Sequence, residues 1–167
     1  MSTLPLGKAT EYPDQYDPSL LFPIPRSENR LKLDIKPNQA LPFVGVDIWN
    51  AFELGWLNKK GKPQIALAEF QIPADSPNMI ESKSFKLYLN SLNSARFEDE
   101  AEVRERLITD LSAVAGSKIS TRINPTEAVA KKGMQEMSGV LMDRLDIEID
   151  PSLSADPNLL EVNESFG

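Results

Sequence analysis

From residue 78 the chain runs Asn78-Met79-Ile80-Glu81-Ser82-Lys83-Ser84-Phe85-Lys86-Leu87-Tyr88-Leu89-Asn90-Ser91, setting a carboxylate, hydroxyls and ammonium groups at what reads as a helix start. Backbone N–H groups in the first turn of a helix lack intrahelical partners and carry partial positive charge. Ser82, Lys83, Ser84 and Lys86 beside them suit an anionic group such as a phosphate. Glu81 suits a different ligand edge. An ionised carboxylate only accepts, so it can take two parallel bonds from adjacent N–H groups of a guanine-like ring. The same spacing also describes a well-capped, solvent-facing amphipathic helix.

Other chemistry is excluded by composition. The chain of 167 residues has Cys 0 and His 0, hence no thiolate nucleophile, no imidazole base and no soft metal site. No catalytic residue is assigned within it, and its expected work is binding and orientation. The acidic run Asp143, Asp146, Glu148, Asp150 lacks EF-hand spacing and reads as a solvated strand face, so no metal site is assigned. A net charge of −7 without a clustered basic face argues against a nucleic-acid partner. No apolar run approaches the roughly 20 residues of a membrane span, and the N-terminus does not read as a signal peptide, so a cytoplasmic protein is expected.

The elements that must position the segment follow from period and punctuation. Residues 1 to about 40 carry Pro5, Pro13, Pro18, Pro23, Pro25 and Pro37, which reads as an extended arm. Tyr12, Tyr16, Leu20, Leu21 and Phe22 give it apolar surface to bury, and Arg26, Ser27, Asn29 and Arg30 are read as anchors. From Phe43 to Leu57 the pattern alternates, with Val46, Ile48, Phe52, Leu54 and Trp56 expected on one face and Asp47, Trp49 and Glu53 on the other. Trp49 and Trp56 are read as packing residues. The turn Asn58-Lys59-Lys60-Gly61-Lys62-Pro63 returns the chain into a second strand from Gln64 to Ile72. A first helix is expected from Glu81 to Ala95. A second opens at Phe97-Glu98-Asp99-Glu100, with Val103, Leu107, Leu111 and Val114 as its stripe and Gly116 as its cap. Lys118 to Asn124 and Leu141 to Ile149 read as further strands, and 151–167 as a polar linker. The result is an α+β domain over 41–150, an antiparallel four-stranded sheet with two helices on one face.

The segment Glu81-Ser82-Lys83-Ser84-Phe85-Lys86-Leu87-Tyr88 resembles the signature of the NADPH-dependent 7-cyano-7-deazaguanine reductases, the nitrile reductases of queuosine biosynthesis. Pro25-Arg26-Ser27, Asn29-Arg30, Leu41-Pro42-Phe43, Asp47-Ile48-Trp49, Glu53-Leu54, Trp56-Leu57-Asn58, Gly61, Pro63-Gln64 and Asn90-Ser91 extend the likeness to the long, bimodular type. The resemblance implies the tunnelling fold (T-fold) in the order ββααββ, and a substrate taken as a free base before insertion into tRNA. It implies contacts to the base from Ile80, Glu81 and Ser82 and to NADPH from Ser82 and Lys83. The family's cysteine, which adds to the nitrile to give a thioimide, its aspartate acid and its His-Glu pair belong to a C-terminal half. The chain therefore reads as an N-terminal fragment whose partners are that half and further copies of itself, as in a dimer. Two other readings stay open: a purine- or pterin-binding module without catalysis, and a structural half whose sheet edges assemble a multimer.

Overall fold

A computed structural model describes residues 15–36, 39–126, 139, 141–144, 146, 148, 150, 152, 154 and 156. The chain divides into two units, Met1–Gly133 and Met134–Gly167. In the second, the described regular structure is a 3₁₀ turn, Met142–Arg144.

The first unit is built on a hairpin. Strand β2 (Val46–Asn58) pairs antiparallel with β3 (Pro63–Pro73). Asn58 closes the turn as expected: its side-chain oxygen accepts the N–H groups of Lys60 and Lys62, each at 3.0 Å, and Gly61 takes φ +82°, a left-handed value that suits glycine. Strand β6 (Ser120–Pro125) joins the far edge of β3, from Ala66↔Pro125 to Gln71↔Ser120. Helices α2 (Ser82–Ser91) and α3 (Glu100–Ala115) cover one face. There Leu54, Ala66, Ala68, Phe70 and Ile72 of the hairpin meet Phe85 and Tyr88 of α2 and the α3 stripe Val103, Leu107, Leu111 and Ala115. Gly116 caps α3 at φ +70°, its N–H donating to the Ser112 carbonyl at 2.9 Å.

Two expectations about the sheet are corrected. The fourth strand is β5 (Arg96–Phe97), and it runs parallel to β2 through Leu57↔Arg96 and Asn58↔Phe97, so the sheet is mixed, in the order β5-β2-β3-β6. Its direction follows from the chain path. After α2 a 3₁₀ turn at Leu92–Ser94 delivers the chain to the end of β2, where Leu57 N–H bonds the Ala95 carbonyl at 2.8 Å. The strand expected over Leu141–Ile149 meets the 3₁₀ turn at Met142–Arg144. Leu145, Ile147 and Ile149 lie outside the described residues.

The alternation along β2 is corrected as well. Pairing slips between Ala51 and Leu54, where Phe52 and Glu53 form a bulge. One extra residue inverts the side-chain phase. Trp49 and Ala51 therefore face the helices before the bulge, Leu54 and Trp56 after it, and Ile48 and Phe52 are left 58% and 71% exposed. Trp49 packs edge-on to Phe85 at 5.6 Å, the packing role expected of it.

The described part of the arm is ordered. Strand β1 (Pro23–Pro25) pairs with β4 (Asn78–Ile80), and α1 (Arg26–Leu31) follows. Leu21 enters the core, and Arg26 pairs with Asp47 while its Nε donates to Ser76 Oγ at 3.1 Å. Arg30 donates to the Ala74 carbonyl. Both arginines are anchors. Tyr12 lies outside the described residues.

Candidate functional site

The first turn of α2 is fixed by Glu81. Its backbone is extended, at φ −67° and ψ 132°, which turns the carboxylate back over the helix start. Lys83 N–H donates to one carboxylate oxygen at 3.0 Å and Ser84 N–H to the other at 2.7 Å. The Ser82 hydroxyl stands 3.5 Å from the first. Glu81 is thus the N-cap, a role in which a carboxylate satisfies otherwise orphaned donors and complements the helix dipole. It is 4% exposed.

Helical spacing then divides the segment. Ser84, Phe85, Tyr88 and Ser91 lie on the buried face. Two of these hydroxyls hold the arm. Ser84 Oγ donates to the Glu81 carbonyl at 2.7 Å and accepts Phe22 N–H at 3.0 Å; Ser91 Oγ donates to the Tyr88 carbonyl at 2.6 Å and accepts Asp17 N–H at 3.2 Å. Ser84, grouped by composition with the anion-binding residues, is therefore a structural clamp. Tyr88 OH donates to Asp110 at 2.6 Å, and Tyr16 of the arm donates to the same oxygen at 2.5 Å. Burial and the hydrogen bond to Asp110 push the Tyr16 phenol up to about 12, and the same causes raise Tyr88 further.

Ser82, Lys86 and Asn90 recur every fourth residue on the other side of α2 and line a cavity of about 340 Å³. Trp49, Asn50, Phe52 and Glu53 of β2, with Phe70, Phe85 and Leu89, complete its lining. The α2 side of the cavity thus offers a hydroxyl, an ammonium group and a carboxamide beside the aromatic rings of Trp49, Phe70 and Phe85. Among the described residues Asn50, Glu53, Lys86 and Asn90 have no side-chain hydrogen bond or ion pair. That donor set fits a group with a flat ring and a phosphate, as a nucleotide has.

Of the residues expected to touch ligand, the structure brings Ser82 to this cavity. Ile80, 1% exposed, puts its side chain in the core, leaving only its backbone for contact. Glu81 caps, and Lys83 is half-buried beside it. Asn50 and Glu53 were not expected. Glu53 lies in the bulge, and the one sequence signal for it is that the apolar positions Trp49 and Ala51 fall out of phase with Leu54 and Trp56. A second, larger cavity of about 890 Å³ lies between the arm and the start of β2, lined by Ser27, Arg30, Lys36, Phe43 and Asp75 among others.

The family described as "Nitrile reductase, 7-cyano-7-deazaguanine-reductase N-term" matches residues 12–123. Among similar proteins is the NADPH-dependent 7-cyano-7-deazaguanine reductase of Bordetella pertussis, 50% identical over 161 residues, 96% of this chain and 58% of that protein. The proteins of the same name from Cupriavidus necator and Burkholderia orbicola are 50% and 52% identical over 160 and 156 residues, covering 96% and 93% of this chain and 57% and 55% of theirs. The chain thus spans somewhat over half the length of these relatives.

Proposed function

The chain belongs to the nitrile reductase family, matching its N-terminal part over residues 12–123, and from that premise we propose that it supplies the cofactor- and base-binding half of an NADPH-dependent 7-cyano-7-deazaguanine reductase. The reaction is reduction of the nitrile to the primary amine of 7-aminomethyl-7-deazaguanine, in the queuosine pathway of tRNA modification. Two NADPH each give a hydride to the nitrile carbon, and two protons go to its nitrogen. The cofactor brings the hydride chemistry; this chain's residues bind and orient.

The observation that carries the reading is Ser82, which stands both at the start of α2 and on the rim of the nucleotide-sized cavity. In the proposal Ser82 and Lys83 hold the cofactor, the hydroxyl as a donor to phosphate and the lysine as a point charge. The base is held by the backbone of Ile80, the Ser82 hydroxyl and the Glu81 carboxylate, whose oxygens each keep acceptor capacity beyond the one amide they take. With Cys 0 and His 0, nucleophile and acid come from the C-terminal half of the protein.

The same reading makes the domain a T-fold unit over 41–150, preceded by the arm at 1–40 and followed by a linker at 151–167, working in the cytoplasm on a free base without nucleic-acid contact. Its partners are the C-terminal half and a second copy of the protein. The support for pairing is the edge of β2. Strand β5 covers only Leu57 and Asn58, so the stretch from Val46 to Phe52 has no strand on that side among the described residues and carries exposed Val46, Ile48 and Phe52.

The test is a fusion of this chain to the segment that follows the matched region in the Bordetella pertussis relative. Oxidation of two NADPH per nitrile is the expected stoichiometry. A folded fusion that oxidises no NADPH in the presence of 7-cyano-7-deazaguanine sinks the proposal.

A further inference from the structure

We infer that Ser84 is a positioning residue for the base: with the backbone of Phe22 in the arm it fixes where Glu81 and Ser82 present their hydrogen-bonding groups, whereas Ser91, which makes the same bonds two turns along α2, fixes only the arm. This rests on the reading that Glu81 and Ser82 hold the base, and extends it to residues that touch no ligand.

The bonds around Glu81 close into a ring. Phe22 N–H donates to Ser84 Oγ at 3.0 Å, Ser84 Oγ donates to the Glu81 carbonyl at 2.7 Å, and Glu81 N–H donates back to the Phe22 carbonyl at 2.9 Å. Both peptide groups of Glu81 are thereby tied to one residue of the arm. Its carboxylate is tied to the same serine, through Ser84 N–H at 2.7 Å. The neighbouring strand pair, Pro23↔Ile80 to Pro25↔Asn78, cannot take over this work, because Pro23 and Pro25 have no N–H to donate. The arm's grip on the start of α2 therefore depends on Phe22, and Phe22 N–H depends on the Ser84 hydroxyl.

Ser91 is the matched case within the same helix. Its Oγ donates to the Tyr88 carbonyl three residues back at 2.6 Å and accepts Asp17 N–H at 3.2 Å, the relay that Ser84 makes with Glu81 and Phe22. The two serines are 1% and 0% exposed, so removing either hydroxyl leaves an N–H of the arm without its acceptor. What differs is where each relay ends. That of Ser91 ends on Tyr88, whose phenol is committed to Asp110. That of Ser84 ends on Glu81, whose carboxylate keeps acceptor capacity for two ring N–H groups, a bond pair that tolerates little misplacement. Loss of stability is thus common to both serines, and loss of base binding belongs to Ser84 alone.

The experiment compares Ser84→Ala with Ser91→Ala, both in the fusion with a C-terminal half and in the chain alone, with circular dichroism to verify that each is folded. Urea midpoints should fall by similar amounts. In the fusion, Ser84→Ala should raise KM for 7-cyano-7-deazaguanine about tenfold and Ser91→Ala should leave it within about twofold, because only the first frees the carboxylate from its set position. Hydrogen exchange of the chain without ligand is the second readout. In Ser84→Ala the amides of Glu81, Lys83 and Ser84 should exchange faster, and in Ser91→Ala they should keep their protection. Either readout shifting alike in the two variants, or not at all in Ser84→Ala, overturns the positioning role and leaves Ser84 a clamp on the arm. If the unsubstituted fusion turns over no nitrile, the reductase reading falls by itself, and the exchange comparison still decides whether Ser84 governs the helix start.

Discussion

At the start of α2 one carboxylate serves two backbone donors, so a substitution of Glu81 acts on the helix before it acts on any ligand. Glu81→Gln replaces one acceptor oxygen with an NH₂ facing a backbone N–H, and should destabilise the chain by about 1–2 kcal/mol, read from the urea midpoint. In the fusion with a C-terminal half the same change should weaken 7-cyano-7-deazaguanine more than NADPH, while Lys83→Ala should weaken NADPH by roughly 1–2 kcal/mol and the base little. Paired titrations of each variant decide this. Should both dissociation constants stay at their original values while stability falls, the segment is a capped structural helix and no more. Composition alone could not sort these residues. Ser82 and Ser84 are the same residue type two positions apart, and only the direction of α2 against the core sends one to the cavity and the other to the arm.

At the scale of elements, the arm is held to the domain through a shared carboxylate. Tyr16 and Tyr88 both donate to Asp110, their rings meet edge-on at 6.3 Å, and the Arg106 guanidinium lies 5.6 Å from the Tyr16 centroid. Because both phenols are raised in the folded state, their contribution is fully present below the unfolded tyrosine value of about 10; that of Tyr16 is lost as pH rises toward about 12, while that of Tyr88, raised further, declines over a wider range. Urea midpoints measured from about pH 8 to about pH 12 should therefore fall in the upper part of the range. The fall should be shallower for Tyr16→Phe, which lacks one of the two protons; an identical slope in that variant would remove the tyrosine pair as its cause. At the far end of α3, Gly116→Ala should cost about 1 kcal/mol, because φ +70° disfavours a side chain and a Cβ there would come within 3.1 Å of Pro77.

For the whole molecule, two outcomes follow from what the chain lacks and what it leaves uncovered. The isolated chain should oxidise no NADPH with 7-cyano-7-deazaguanine above a protein-free blank, since the family's covalent step needs a thiolate and the chain has Cys 0. Turnover by clean protein would refute that mechanism. The chain should also self-associate at high micromolar concentration, because the unpaired edge of β2 and its exposed Ile48 and Phe52 offer another strand both hydrogen bonds and apolar surface. Light scattering reads this directly, and a strict monomer would count against a missing partner.

Local chemistry was legible in the sequence: the Asn58–Pro63 turn, the helical stripe from Val103 to Leu111 with its Gly116 cap, and the helix that begins beside Glu81. Each depends on neighbours a few residues away, and so does the family signature. Long-range geometry was not. The bulge at Phe52 and Glu53, across which the inward-facing positions change from Trp49 and Ala51 to Leu54 and Trp56, exists because β2 must pair with β3 on both sides of one extra residue. The parallel placement of β5 is set by where α2 releases the chain, a matter of packing against the core that no periodicity encodes. The sequence by itself determined the β2–β3 hairpin, the helices α2 and α3 and the family resemblance, but not β5 or the short strands β1 and β4. Tertiary structure decided which side of α2 borders a cavity, because only packing against the sheet and the arm commits Glu81, Ser84 and Ser91 to the backbone and leaves Ser82, Lys86 and Asn90 at that cavity.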